Sequence, residues 1–262
     1  MGLEKGADVF TILMRTSQPE DAAAFEQWST TLSESMRVYR VTPKAETPVN
    51  AYAYPALTPR GTGVHEVQSL PEADKALDQI RQSLIAQYGG EYDYEEFSAR
   101  IAVPEGMTGY LNDENAQGDN RDTSYLMTND FTLNSDEDFV VVYGVNHVAA
   151  GKATYANTVL YARPRLNGIV SLYDSMYGDS AAEYLPDADS SKYYVLKMAR
   201  TALDSHTAVI PYSTDNPNGR FYGADNGTQL LIAYRAYVEP ETGVGPSYYE
   251  IVYDRAIVFH KK

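Results

Sequence analysis

Asn146, His147, Lys152, Tyr155 and Asn157 fall close together in the stretch FVVVYGVNHVAAGKATYANTVLY, residues 139–161. Histidine titrates near neutrality, so His147 is a candidate general base, with Tyr155 as its acid partner. Lys152 can anchor a carboxylate or stabilise developing negative charge. Asn146 and Asn157 can orient a carbonyl or hydroxyl by hydrogen bonding. The apolar run 139–143 reads as a strand covered on both faces, so these polar groups emerge at its end, where a rigid sheet can hold them near a cleft. On a regular strand His147 shares the face of Phe139, Val141, Tyr143 and Val145, an apolar border that favours the neutral imidazole a base requires.

This pattern predicts metal-independent acid-base chemistry of hydrolase or lyase type on a small polar, anionic or carbonyl-bearing substrate. His147, Tyr155 and Lys152 are the catalytic candidates, and Asn146, Asn157, Arg235, Arg60 and His65 the substrate-binding ones. Arg60 and His65 belong to Arg60-Gly61-Thr62-Gly63-Val64-His65-Glu66, where two glycines let backbone approach a ligand closely. The alternative reading is a non-catalytic β-sandwich module whose tyrosine-rich surface binds a polar ligand such as a carbohydrate.

Other motifs are weaker. Ala149-Ala150-Gly151-Lys152 lacks the second glycine, the Ser or Thr after Lys and the following helix of a phosphate loop. Asp113, Asn115 and Asp119 alternate as calcium ligands do, but Ser124 stands where a closing Glu belongs, so no cofactor and no metal site are expected. Gly118-Asp119-Asn120-Arg121-Asp122 resembles a box of the type I signal peptidases over five residues. That family continues Ser-x-Asp-Ser-Arg where this chain has Ser124-Tyr125-Leu126-Met127, and the segment reads instead as a turn. Near the C-terminal end, Arg235, Glu250, Asp254, Arg255 and His260 are charged groups inside predicted strands and must be paired or exposed.

The elements that would position these residues are legible from spacing. A strand is predicted at 8–15, then a helix at 19–35 with Ala22, Phe25, Trp28 and Leu32 as its buried stripe. A second helix, 70–88, presents Leu77, Ile80, Leu84 and Ile85 inward and ends at Gly89-Gly90. From 98 onward nine strands are predicted, at 98–103, 124–133, 139–147, 154–162, 169–173, 193–198, 208–212, 229–238 and 249–260. Asn167-Gly168 marks a hairpin, and a short helix is expected near 180–185. The fold class is α+β, an N-terminal α/β portion (1–100) with two helices packed on a C-terminal, mostly antiparallel β-sandwich (101–262), with one continuous domain as the alternative.

Composition narrows the classes further. With 36 acidic against 21 basic side chains the formal charge is −15, a field that repels phosphate backbones and anionic lipid, so no nucleic acid and no membrane partner is expected. A small-molecule ligand is the expected partner. There is no cysteine, hence no disulfide or thiolate chemistry. Tyrosine, 23 residues against 7 phenylalanines, supplies aromatic surface bearing hydroxyls, suited to strands or to a homo-oligomer interface. No apolar signal core opens the chain, which reads as cytoplasmic, or as extracytoplasmic after removal of a signal peptide.

Overall fold

Alternating apolar and polar side chains between residues 92 and 261 build two sheets, and one amphipathic helix covers the first of them. The structure, a computed structural model, describes residues 21–39, 44–45, 58–102, 121–186, 188–215 and 221–262. The chain divides into two units, Met1–Leu57 and Thr58–Lys262. The result is an α+β chain with few helices and two large, mostly antiparallel or mixed sheets, beside a separate two-stranded pair at 214–215 and 221–222.

In the first unit, α1 (Ala22–Thr30) starts at Asp21, whose carboxylate accepts the Ala24 N–H at 2.9 Å and so satisfies one free amide of the first turn. The helix breaks at Thr31 before the short α2 (Leu32–Ser35). The continuous helix and buried stripe expected from the sequence are therefore interrupted: Trp28 is half-buried and Leu32 is 38% exposed. The strand predicted at 8–15 lies outside the described residues.

The second unit begins with α3 (Glu66–Ser69) and α4 (Ala73–Tyr88). Helical spacing puts Ala73, Ala76, Leu77, Ile80 and Leu84 on one buried face. The strands follow as β1 (Tyr92–Ser98), β2 (Arg100–Ile101), β3 (Thr123–Met127), β4 (Phe131–Thr132), β5 (Phe139–Val145), β6 (Tyr155–Ala162), β7 (Asn167–Tyr173), β8 (Tyr193–Ala199), β9 (Thr207–Val209), β10 (Thr214–Asp215), β11 (Phe221–Tyr222), β12 (Gln229–Tyr237) and β13 (Arg255–Lys261). The first sheet has the order β1-β13-β5-β8-β9, antiparallel except for β8 with β9. The second has the order β2-β3-β12-β6-β7, with β4 also paired to β12.

Strand β5 is buried along its whole length, and its period of two explains why. Val140 and Val142 join a cluster with Leu126, Leu160 and Ile232 of the second sheet. Phe139, Val141, Tyr143 and Val145 turn the other way and meet Leu77, Ile80 and Leu84 of α4. Tyr88 at the end of α4 packs its ring 4.9 Å from Phe139 and 5.2 Å from Phe259, closing this second cluster.

Several local expectations give way to tertiary context. The 92–98 stretch, whose YDYEEFS sequence hides its strand character, pairs in full register with β13 because an edge strand can expose its acids on both faces. The hairpin between β6 and β7 turns through 163–166, with Leu166 in the left-handed region (φ 49°); Asn167 and Gly168 are already in the strand, next to a register shift. The predicted helix near 180–185 is a run of turns, and strand 249–260 starts only at Arg255. Within the Thr58–Lys262 unit α4 packs on the first sheet and β1 pairs into it. Among the described residues no helix is long and apolar enough to cross a membrane.

Leu77 is fully buried between α4 and β5, so Leu77→Ala removes packing that its neighbours cannot replace. It is expected to lower the unfolding free energy by about 2–5 kcal/mol, read from the urea midpoint at unchanged slope.

Candidate functional site

The residues singled out by sequence separate into two environments. His147 and Lys152 are buried within ion networks, whereas Tyr155, Asn157 and Arg235 lie together on one face of the second sheet.

His147, just past β5, is 4% exposed. Its Nδ1 lies 2.7 Å from Glu66 Oε1, and its Nε2 lies 3.6 Å from Asp254 Oδ2. Tyr194 donates its hydroxyl to the other oxygen of Asp254 at 2.6 Å. Gly144 is required beside this group, because a side chain there would collide with the Asp254 carboxylate and the Tyr194 ring. Burial alone would push the imidazole pKa down, but the charge of Glu66 and contact with both carboxylates outweigh it and raise it to about 10. His147 is thus held as a cation between two acids, not as the neutral imidazole on an apolar border that strand alternation suggested.

Lys152 repeats the arrangement. Its Nζ donates to Glu239 Oε1 at 2.6 Å and Glu250 Oε2 at 2.7 Å, with Thr62 Oγ1 at 3.2 Å. Burial works against the charged amine, yet the two carboxylates raise its pKa. Glu250 in turn accepts the backbone N–H groups of Thr62 and Gly63 at 3.1 and 2.8 Å. Gly61, at φ +86°, carries the chain around this carboxylate where a side chain would clash with Glu250 and Ser247. The loop 58–66 is thereby strapped onto 247–254, and Glu66 completes the strap by accepting the Val252 N–H at 2.6 Å.

Other sequence candidates have structural partners. Asn146 caps the turn after β5, accepting the Ala149 N–H at 3.2 Å. Arg60 lies over the Tyr248 ring at 5.4 Å, and exposed His65 precedes α3. Arg235 is paired with Asn157 and Tyr161 on its own sheet and not with Glu250 or Asp254.

That side carries a row set by register. Tyr125, Arg235, Asn157 and Tyr173 are successive partners across β3, β12, β6 and β7, and Tyr237 faces Tyr155 in the next row. Arg235 donates to Tyr161 Oη at 2.7 Å and to Asn157 Oδ1 at 3.3 Å, with its guanidinium 5.1 Å from the Tyr125 ring and 5.5 Å from that of Tyr161. Asn157 donates to Tyr155 Oη at 3.2 Å, and the Tyr155 and Tyr237 rings lie 5.3 Å apart. These side chains are half-buried, and Tyr173 is 40% exposed.

A third feature escaped the sequence reading. An open pocket of about 280 Å³ lies between α4 and the first sheet, lined by Arg81, Glu96, Ser98, Tyr143 and Arg255. Register places Ser98, Arg255 and Tyr143 in one row across β1, β13 and β5. Arg81 reaches in from α4 and grips Glu96 with two hydrogen bonds, from Nη2 to Oε1 at 2.7 Å and from Nε to Oε2. Arg255 is anchored from outside by Asp74 at 3.3 Å. The bond to Arg81 holds the Glu96 carboxyl below its usual range, while burial pushes the Tyr143 phenol up to about 12. The chemistry available is a carboxylate that stays ionised, two guanidiniums, and a phenol that stays protonated. The only sequence signal was the alternation of Glu96 and Ser98 on one strand face; Arg81 lies on the polar side of a helix and could not be connected to them.

Among the described residues no group of three or more His, Asp or Glu is placed to hold a metal ion. Asp113, Asn115 and Asp119, the calcium candidates, lie outside the described residues. No protein-family profile matches the chain. It is 30% identical over 111 residues to proteins described as "Probable ribonuclease FAU-1" in Pyrococcus horikoshii and in Pyrococcus abyssi. The match takes in 41% of this chain and 22% of either relative, so the chain spans about a fifth of their length. This similarity corrects the exclusion of nucleic acid drawn from the net charge of −15. Net charge describes the long-range field, whereas recognition can be carried by local guanidiniums and aromatic rings.

Two outcomes follow from the buried cations. The folded-state pKa of His147 lies above its unfolded value, so its contribution to stability is complete below about pH 6.5 and lost as pH rises towards 10. The urea midpoint is expected to fall between pH 6 and pH 9, and His147→Gln to flatten that fall. Lys152→Met leaves Glu239 and Glu250 buried without their cation, and a loss of about 3–5 kcal/mol is expected by chemical denaturation.

Proposed function

We propose that this chain is a hydrolase acting on RNA phosphodiester bonds, with the pocket between α4 and the first sheet as its reaction centre. In this reading its sheets pack as a mostly antiparallel sandwich, which the apolar cluster they share supports. The observation that carries the reading is Glu96, an ionised carboxylate set beside two guanidiniums and a protonated phenol in an open pocket. Similarity to probable ribonucleases supplies the substrate class.

In this reading Arg81 and Arg255 bind the non-bridging phosphate oxygens, where the guanidinium fork matches the geometry and stabilises charge that develops on phosphorus. A phosphate entering the pocket draws Arg81 away from Glu96 and frees the carboxylate. Glu96 then takes the proton of the ribose 2′-hydroxyl, the 2′-oxygen bonds to phosphorus, and the bond from phosphorus to the 5′-oxygen breaks. Tyr143 gives its proton to that leaving oxygen and recovers one from solvent as Glu96 releases its own. Water opens the resulting cyclic phosphate in the second half of the hydrolysis.

Glu96→Gln keeps the shape of the pocket but cannot accept a proton. It is expected to slow cleavage of a fluorescently labelled oligoribonucleotide by about 10²–10⁴-fold, the usual contribution of a positioned acid or base. Its unfolding midpoint should change little, because the pair it loses is partly exposed. The deoxy form of the same oligonucleotide, lacking the 2′-hydroxyl, is expected to survive. An unaffected Gln variant, or equal cleavage of the DNA, removes Glu96 from the reaction.

A further inference from the structure

We infer that the outer face of the second sheet is a separate site for single-stranded RNA, on which bases stack against tyrosine rings around Arg235. The inference rests on the reading of the chain as RNA-directed, and it adds a binding surface that the reaction centre does not include.

The geometry suits a strand better than a compact ligand. Tyr125, Arg235, Asn157 and Tyr173 form a row over four adjacent strands, which at about 4.8 Å per strand spans roughly 14 Å. That length accommodates about two or three unstacked bases, the number a four-stranded sheet with exposed aromatics holds in other RNA-binding folds. Tyr173 at the end of the row is 40% exposed and offers a ring face directly. Tyr155 and Tyr237, tilted by 38° against each other, extend the aromatic surface along the strands.

Arg235 gives the row its polarity. Its guanidinium is fixed by Tyr161 and Asn157 and framed by the rings of Tyr125 and Tyr161, so it is oriented before any ligand arrives. A fixed planar cation can stack on a base or meet a phosphate without paying further ordering entropy. The Asn157 amide donates to Tyr155 and accepts from Arg235, linking the aromatic groups into one rigid surface.

The charge of the chain makes the mode of binding specific. With a formal charge of −15 the long-range field does not draw RNA in, and the affinity assigned to this face is local, from stacking on its tyrosines and contact with Arg235. Stacking needs bases out of the duplex, so single strands bind and duplexes do not. It also predicts weak salt dependence. Arg235, with Arg100 at the sheet edge, would neutralise one or two phosphates, and affinity should fall only about three- to seven-fold between 50 and 200 mM salt.

The test is fluorescence anisotropy of a labelled 12-nucleotide oligouridylate, alone and annealed to oligoadenylate, run alongside cleavage of the dinucleotide UpA by the wild-type protein. The single strand is expected to bind at least tenfold more tightly than the duplex and to show the shallow salt response. Tyr173→Ala, at an exposed position, should weaken binding by about five-fold to a hundredfold, the effect of losing one stacked base. Arg235→Ala should weaken it as well, with Arg235→Lys restoring only part because a compact ammonium cannot stack. Equal affinity for the duplex, a steep salt response, or unchanged affinity of Tyr173→Ala overturns the inference, as does absence of binding. UpA cleavage with any of these results overturns this surface alone. Single-strand binding as expected with UpA left intact keeps the surface and overturns the proposed reaction centre.

Discussion

Among the described residues a buried cation held between two carboxylates occurs twice, and the arrangement of the loops around it depends on that device. His147 sits with Glu66 and Asp254, and Lys152 with Glu239 and Glu250. Neither cation could be taken out of water alone, and neither pair of acids could be brought together without it. The consequence is mutual dependence: loop 58–66 reaches the 247–254 segment only because Glu66 and Glu250 are neutralised there, and the turn after β5 is closed because both cations lie on it. The carboxylates also accept hydrogen bonds from the backbone N–H groups of Thr62, Gly63 and Val252 and from the Tyr194 hydroxyl.

Outside the two centres lie Glu96, Tyr143 and Arg255 beneath α4, and the tyrosines around Arg235 on the second sheet. A chain with a large negative charge can carry such sites because each guanidinium is held close to its own carboxylate or aromatic partner, leaving its effect local.

Much of the framework was legible in the sequence. The run 139–143 could only be a strand buried on both sides, and Leu77, Ile80 and Leu84 could only be one face of a helix. Tyr155, Asn157 and Arg235, candidates by their chemistry, lie together because β6 and β12 are neighbours with Asn157 opposite Arg235. Long-range pairing was not legible. Glu66 and Asp254 flank His147 from opposite ends of the unit, and no spacing rule connects them. Local rules also failed where tertiary contacts outweighed them. The acidic YDYEEFS became an edge strand, and Asn167-Gly168 gave up its turn to a left-handed leucine one residue earlier.

The order of the first sheet carries a further consequence for biosynthesis. Strand β13 lies between β1 and β5, so two elements made early have no hydrogen-bonding contact with each other until a segment made much later inserts between them. While residues 255–261 are still inside the ribosome, β1 has no partner and one side of β5 remains open. The nascent chain must therefore shelter one open edge of a strongly apolar strand until β13 is made, and the dense acidic residues of β1 are well suited to keep its own waiting edge from joining another chain.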